Sequence, residues 1–480
     1  MIYIDVEKDE FYNQAKYALE ELLRITGITY KQYELSSLSE NDILITYGRR
    51  NIKVIGCKNL HIKNCGKLFN DFYKTEKTLP KDVFNYEDVF SFYSNSDLNI
   101  VIHQKDFIEI NIDIISDIFF MLSRYEEYII GNSVENHKRF SYKDSIFFKE
   151  KLMNRPLVNE YANLLFDLLK KLDNNIISNK NLKDKDFILL ISHDIDSIFK
   201  YKDKALKNIL IKIIKERDLK GAYKLIRNYI KVMQNLSSDP YWTFDYLTEL
   251  EKKYDMSASY YFMSGGNSWR DNYYKISNKN LKSVMKKIKD QGSEIGLHGS
   301  FNSYNNRDYL KKEKEILSKY ANVKGIRQHF LRFSAPNTWI EQASVGLEYD
   351  STVGYAEIPG FRCGICTPFK PFDLNNNCRI NIWEIPLIVM DTTLNNNSYQ
   401  GFDIDQAVEY CNNMVDVVRK YNGVFSLLWH NSSFDNEGDW KGWNKVYEKI
   451  IKYSISKNAL CISGEKVIEL VKITEEKGGV

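Results

Sequence analysis

FILLISHDID, residues Phe187 to Asp196, is an apolar run that ends in two carboxylates. The uncharged stretch Phe187 to Ser192, rich in branched side chains, reads as a buried strand. Extended backbone has a side-chain period of two, so Asp194 and Asp196 fall on one face and His193 on the other. Two carboxylates that close repel unless one binds a cation or takes a proton, which suits one metal ligand and one general base. Taken alone, the same residues also suit an Asx-type turn or a helix cap.

Working outward, further strands are expected at Ala258 to Met263, Glu294 to Leu297, Gly325 to Phe333, Gly346 to Tyr349, Asn381 to Val389 and Gly423 to Trp429. Helical patterns lie between them at Tyr241 to Tyr254, Asn280 to Gln291, Arg307 to Tyr320 and Asp405 to Tyr421. This alternation predicts a parallel, barrel-like α/β fold with its chemistry at the C-terminal ends of the strands. Upstream, Asp173 to Asp186 (DNNIISNKNLKDKD) is polar and aperiodic and reads as a linker, which divides the chain into residues 1–185 and 186–480. The uneven residue usage agrees with two parts: all seven Trp follow Pro240, and five of eight Pro lie between Pro336 and Pro386.

In the first part, helices are expected at Glu10 to Thr26, Ile112 to Tyr128 and Arg155 to Leu172. Strand-like runs occur at Ile28 to Tyr33, Asp42 to Thr46, Lys53 to Val54 and Ile100 to His103, giving a smaller α/β domain whose role the sequence leaves open. Its histidines, His61, His103 and His137, are widely spaced without neighbouring acids and form no ligand set.

The 480 residues carry 67 Lys and Arg against 64 Asp and Glu and are 43% hydrophobic, which permits large cores and excludes a disordered chain. A net charge of +3 spread over the chain gives no sign of a nucleic-acid partner. Seven Cys in no compact framework favour a reducing compartment. The N-terminus is acidic where a secretory signal is basic and then apolar, and no apolar run is long enough for a membrane span. A cytoplasmic protein is expected.

All four histidines of the second part lie in or at the end of an expected strand: His193, His298, His329 and His430. In Gly325 to Phe333 the period of two puts Arg327 and His329 on one face and Arg332 on the other. His430 ends the last strand, where a general acid can reach a leaving group. No Gly-x-Ser-x-Gly elbow occurs, which weighs against a serine esterase.

With these motifs in order, most of residues 186–480 resembles the polysaccharide deacetylases of the NodB type, carbohydrate esterase family 4. The resemblance rests on the paired Asp of the first strand, His298, Arg327 and Leu428-Trp-His430. Within that family it looks like the branch with His-Asp-x-Asp, Arg-x-His-x-x-Arg-Phe and Gly-Phe-Arg-Cys-Gly, here His193 to Asp196, Arg327 to Phe333 and Gly360 to Gly364, and with an N-terminal α/β extension. It implies a distorted (β/α) barrel preceded by a smaller α/β domain. It also implies a metal-dependent deacetylase that hydrolyses the N-acetyl group of an amino sugar. A divalent metal, Zn2+ first and Co2+ or another transition metal next, would polarise the acetamide carbonyl. By the same resemblance Asp194 is the general base, Asp196 and His298 are ligands, Arg327 orients or charge-balances Asp194, and His430 is the general acid.

One position departs from the pattern. Where the family places a second histidine four residues after His298, this chain has Asn302, a weaker zinc ligand. His329 is the expected replacement. An intracellular location would make the substrate a glycan precursor or glycoconjugate. Another amide hydrolase on the same barrel and a catalytically silent carbohydrate-binding relative are the alternatives.

Candidates for substrate contact are Arg332, Asp350, Arg362 and Trp429, although a turn cap suits Asp350 equally and a core role suits Trp429 better than stacking on a sugar. Glu384 or Asp391 is expected to support His430. The pair Cys363 and Cys366 lies in a Pro-rich loop without the context of a redox or zinc motif.

Overall fold

The computed structural model describes residues 1–478 apart from 35–37, 87, 95–99, 134–135, 179–181, 183, 202–204 and 272–273. Two main sheets lie on either side of Asp173 to Asp186, the expected linker, of which residues 179–181 and 183 fall outside the described residues. The first sheet contains β1 (Ile2–Val6), β2 (Lys31–Gln32), β3 (Ile43–Gly48), β4 (Lys58–Lys63), β5 (Val101–Gln104) and β6 (Phe107–Ile110). Its order is β2-β1-β3-β4-β6-β5, parallel except for the β5/β6 hairpin.

Two expectations for this part are corrected. Lys53 and Val54 form no strand, because the Asn59 side chain bonds both the N–H and the C=O of Val54, at 2.9 Å each, and folds the segment into a turn before β4. The helix expected over Ile112 to Tyr128 is broken into Ile114–Leu122 and Tyr125–Ile130 by Arg124 in the left-handed region, φ 53°.

That break turns the Arg124 guanidinium inward onto Glu127, at 2.9 and 2.8 Å, where Arg362 makes a bidentate pair at 2.8 and 2.7 Å. All three side chains are buried, and they tie the first part of the chain to the Gly360–Gly364 loop of the second. In the same loop, Phe361 N–H donates to the Met153 carbonyl at 2.7 Å, and Gly360 has φ +128° with that carbonyl where a Cβ would be. Glycine is required there by close backbone approach. Burial acts to raise the Glu127 pKa, but Arg362 and Arg124 hold it below its ordinary value. Its stabilising effect is therefore complete above the ordinary carboxylate range and is lost as the pH falls below it. Glu127→Ala leaves the buried Arg362 without a carboxylate and Arg124 with only its longer contact to Glu126, 3.5 Å, and is expected to cost about 3–5 kcal/mol, read by urea unfolding.

The second sheet contains β7 (Phe187–Ile195), β8 (Ser259–Phe262), β9 (Glu294–Gly299), β10 (Gly325–Gln328), β11 (Tyr349–Asp350), β12 (Trp383–Glu384), β13 (Val389–Met390), β14 (Val424–Leu428) and β15 (Ala459–Cys461). The order is β12-β11-β10-β9-β8-β7-β14-β13, with β15 also on β7, and every pairing is parallel. Both edge strands belong to one segment, Trp383 to Met390, so the sheet curves until its edges nearly meet. This is the parallel, barrel-like α/β fold expected. Pro386 interrupts what was expected to be one strand, Asn381 to Val389, because it has no N–H for a ladder. The strand expected over Gly325 to Phe333 stops at Gln328, where Phe330 and Leu331 take positive φ, 60° and 52°.

Candidate active site

The curved sheet gathers side chains from the C-terminal ends of four strands. Asp194 lies in β7 and Asp196 one residue beyond it, His298 in β9, Arg327 in β10 with His329 just after, and His430 two residues past β14. Neighbouring register places His298 directly beside Arg327.

Arg327 is fully buried and donates from Nη1 to Ser192 Oγ at 2.7 Å and to Asp194 Oδ1 at 3.2 Å, while Nε and Nη2 are taken by Ser351. Its guanidinium is thus fixed on both sides, and Asp194 has a counter-charge at a defined oxygen.

His298 Nδ1 lies 2.9 Å from the Arg327 carbonyl. A carbonyl only accepts, so Nδ1 carries the proton and Nε2 faces the mouth. There Nε2 is 3.0 Å from Asp196 Oδ1, and His329 Nε2 is 3.6 Å from the same oxygen. The ligand atoms of Asp196, His298 and His329 lie within 4.8 Å of one another. Around a tetrahedral ion with bonds of about 2.0–2.1 Å, ligand atoms lie about 3.3 Å apart. The two imidazoles and one carboxylate fit a zinc-like cation in donor type, and the two imidazole–carboxylate distances, 3.0 and 3.6 Å, lie on either side of that spacing. Burial would raise the Asp196 pKa, but the His329 and His298 imidazoles hold it well below the carboxylate range. For His298, burial is outweighed by Asp194 and Asp196, and its pKa is raised.

His430 faces the same carboxylate from the other side, with Nε2 3.7 Å from Asp196 Oδ2. Its backbone N–H donates to Asp391 Oδ2 at 2.7 Å and its Nδ1 lies 2.8 Å from Asp391 Oδ1. Burial disfavours the charged ring, but Asp391 overcomes this and pushes the His430 pKa up to about 10. Of the two acids expected to support His430, Asp391 is the one in contact. Glu384 instead accepts from Trp339 Nε1 at 2.9 Å and Val353 N–H at 3.1 Å, beside Asp350.

The other sequence candidates lie elsewhere. Asn302 is exposed and donates to Asn267 at 2.9 Å, outside the cluster. Arg332 donates to the His137 carbonyl at 2.9 Å and lies 4.0 Å over both Phe301 and Tyr304. Asp350 is buried against Gln342 and Thr352, Arg362 is held by Glu127, and Trp429 is enclosed by Phe434, Trp443 and Tyr447. His193 points into the core, where burial lowers its pKa to about 4. Cys363 and Cys366 are buried free thiols.

Two contributors to the site escaped sequence reading. Asp271 is buried with its Oδ1 3.7 Å from His329 Nδ1, and is held by the N–H groups of Phe301 and Ser268 at 2.7 and 2.8 Å. It faces the ring nitrogen opposite the ligand atom, as carboxylates behind metal-bound histidines do. Asp271→Asn is expected to weaken Zn2+ binding by about 10–100-fold, read by calorimetric titration. The second is the first part of the chain, which grips the strained turn carrying His329. Asn132 donates to the Phe333 carbonyl at 2.8 Å, Arg139 to the Phe330 carbonyl at 2.7 Å, and the His137 ring stacks on Phe330 at 4.6 Å. These contacts offset the cost of two successive positive φ angles.

Residues 2–174 match a family of unknown function (DUF7033). No curated protein matches the chain. Solved structures that it resembles include a Mycobacterium smegmatis protein assigned to the polysaccharide deacetylases, at 14% identity and TM-score 0.41, covering 62% of this chain and 93% of that one. The chitin deacetylase of Colletotrichum lindemuthianum is 10% identical with TM-score 0.33, over 59% of this chain and 88% of that one. A 4-alpha-glucanotransferase from Thermococcus litoralis is 12% identical with TM-score 0.35, over 59% of this chain and 40% of that one.

Proposed function

We propose that the chain is a metal-dependent deacetylase that hydrolyses the N-acetyl group of an amino sugar in a glycan precursor or glycoconjugate. The observation that carries this reading is the Asp196-His298-His329 cluster, with Asp194 and His430 at its edges. A divalent cation held there, Zn2+ first by its fit to two imidazoles and a carboxylate, supplies Lewis acidity toward an amide carbonyl and acidifies water.

The protein's own groups do the rest. Arg327 holds Asp194 as an oriented carboxylate that accepts a proton from the attacking water. His430, with Nδ1 on Asp391, presents Nε2 to the mouth and carries the proton that the departing amine needs. An amine leaves poorly as an anion, so this proton matters more for an amide than for an ester with a good leaving group. Asp391 and Arg327 fix both rotamers and so limit the reorganisation required during reaction.

The test is acetate release from N-acetylglucosamine oligosaccharides by the Zn2+- or Co2+-loaded protein. Release that disappears in Asp194→Asn supports the reading; sugar binding without release, unchanged in that variant, replaces it with a binding role.

A further inference from the structure

Between β7 and β8 the chain leaves the mouth and forms two helical segments, Ala205 to Lys215 and Leu219–Gln234. Of the nineteen exposed large apolar side chains among the described residues, eight fall between Leu210 and Met233. Ile214 is 72% exposed, and Leu219 and Tyr223 are 70% exposed. In Leu219–Gln234 only Ala222 and Val232 are buried.

The exposed residues are ordered. Leu219, Tyr223, Ile226, Ile230 and Met233 recur at helical spacing and, at 100° per residue, form one stripe within about 40° of a common line. Lys220, Lys224, Arg227 and Lys231 form a parallel exposed stripe about 110° round the helix. From Leu210 to Gln234 there are seven Lys and Arg against two acids, both of which pair with Lys212. An evenly solvated helix does not concentrate Leu, Ile, Tyr and Met on its outer face.

We propose that this helical hairpin docks on the surface of a lipid bilayer with anionic headgroups, lying in the interface without crossing it. The apolar stripe enters the acyl boundary and the adjacent basic stripe meets the headgroups. No helix among the described residues is long and apolar enough to cross a membrane, which agrees with a surface contact. A second copy of the chain fits less well, since the same surplus of positive charge would face itself.

The root of the hairpin gives the contact a purpose. Lys200 pairs with Asp435 at 2.8 Å and Glu437 at 2.9 Å, and Tyr201 donates to Glu437 at 3.0 Å. Lys200 lies four residues after Asp196, and these acids lie five and seven residues after His430, so the root of the hairpin is tied to the segments that leave the strand ends carrying both site residues. Docking places those strand ends beside the bilayer, suited to a substrate held at the membrane.

The test is co-sedimentation of the full chain with vesicles of mixed phosphatidylglycerol and phosphatidylcholine, against phosphatidylcholine alone. Binding is expected with the anionic vesicles and should weaken with salt. The double variant Ile226→Asp, Ile230→Asp should lose it by at least about tenfold while keeping its circular dichroism and metal content. The double variant Lys220→Glu, Lys224→Glu should lose the preference for anionic lipid. No sedimentation of the wild type with either vesicle, or equal binding by the apolar variant, overturns the proposal. So does a dimer in sedimentation equilibrium that the apolar variant abolishes without any vesicle binding. Metal content in His298→Ala reports on the catalytic reading separately.

Discussion

His298→Ala is expected to lose both the bound cation and turnover, whereas Asp194→Asn loses turnover alone. The difference follows from where each side chain points. His298 Nε2 sits 3.0 Å from Asp196 Oδ1, at the centre of the ligand cluster, and its tautomer is set by the Arg327 carbonyl. Removing it leaves one imidazole and one carboxylate, and affinity should fall by more than about 100-fold. Asp194 is bound to Arg327 through Oδ1, and its Oδ2 is 3.9 Å from His298. Asparagine keeps the shape but gives up the basic oxygen, so kcat should fall by at least about 100-fold with metal retained. Metal content after chelator rinsing and Zn2+ reloading reads both variants; equal metal loss would mean that the base and ligand assignments are reversed.

The second large effect concerns the proton for the leaving group. His430→Ala should lower kcat on an amide by about 10²–10⁴-fold while sparing an acetate ester of an activated phenol, which leaves unprotonated. Asp391→Asn tests the support behind the ring. The Asp391 carboxylate contributes most, ahead of Asp196 and Asp194, to raising the His430 pKa against the opposing effect of burial, so the variant lowers it. A general acid stops working as the pH rises through its pKa. The alkaline limb of the amide profile should therefore move to lower pH in Asp391→Asn, with metal content unchanged. An unmoved limb would place the acid elsewhere.

Parts of this arrangement are written locally in the chain. Phe187 to Ile195 is buried at every position, and a parallel strand covered on both faces reads as an unbroken apolar run. The two carboxylates at its end are spaced by the strand's own period. The Gly360–Gly364 motif was legible as a motif, but its arginine proved to dock one part of the chain on the other, because Glu127 lies more than two hundred residues away in sequence. Asp271 carried no local signal: an acid in a loop looks the same whether it caps a turn or faces a buried imidazole.

From the sequence alone came the alternating α/β pattern, the paired Asp at one strand end and the histidines at three others, since periodicity and apolar content act over a few residues. Tertiary structure alone decided that Asn302 faces solvent while His329 joins Asp196 and His298, that Asp391 and not Glu384 meets His430, and that the stripe from Leu219 to Met233 is left uncovered. Those outcomes depend on sheet curvature, parallel register and contacts between distant segments, which bring together side chains that no local pattern relates.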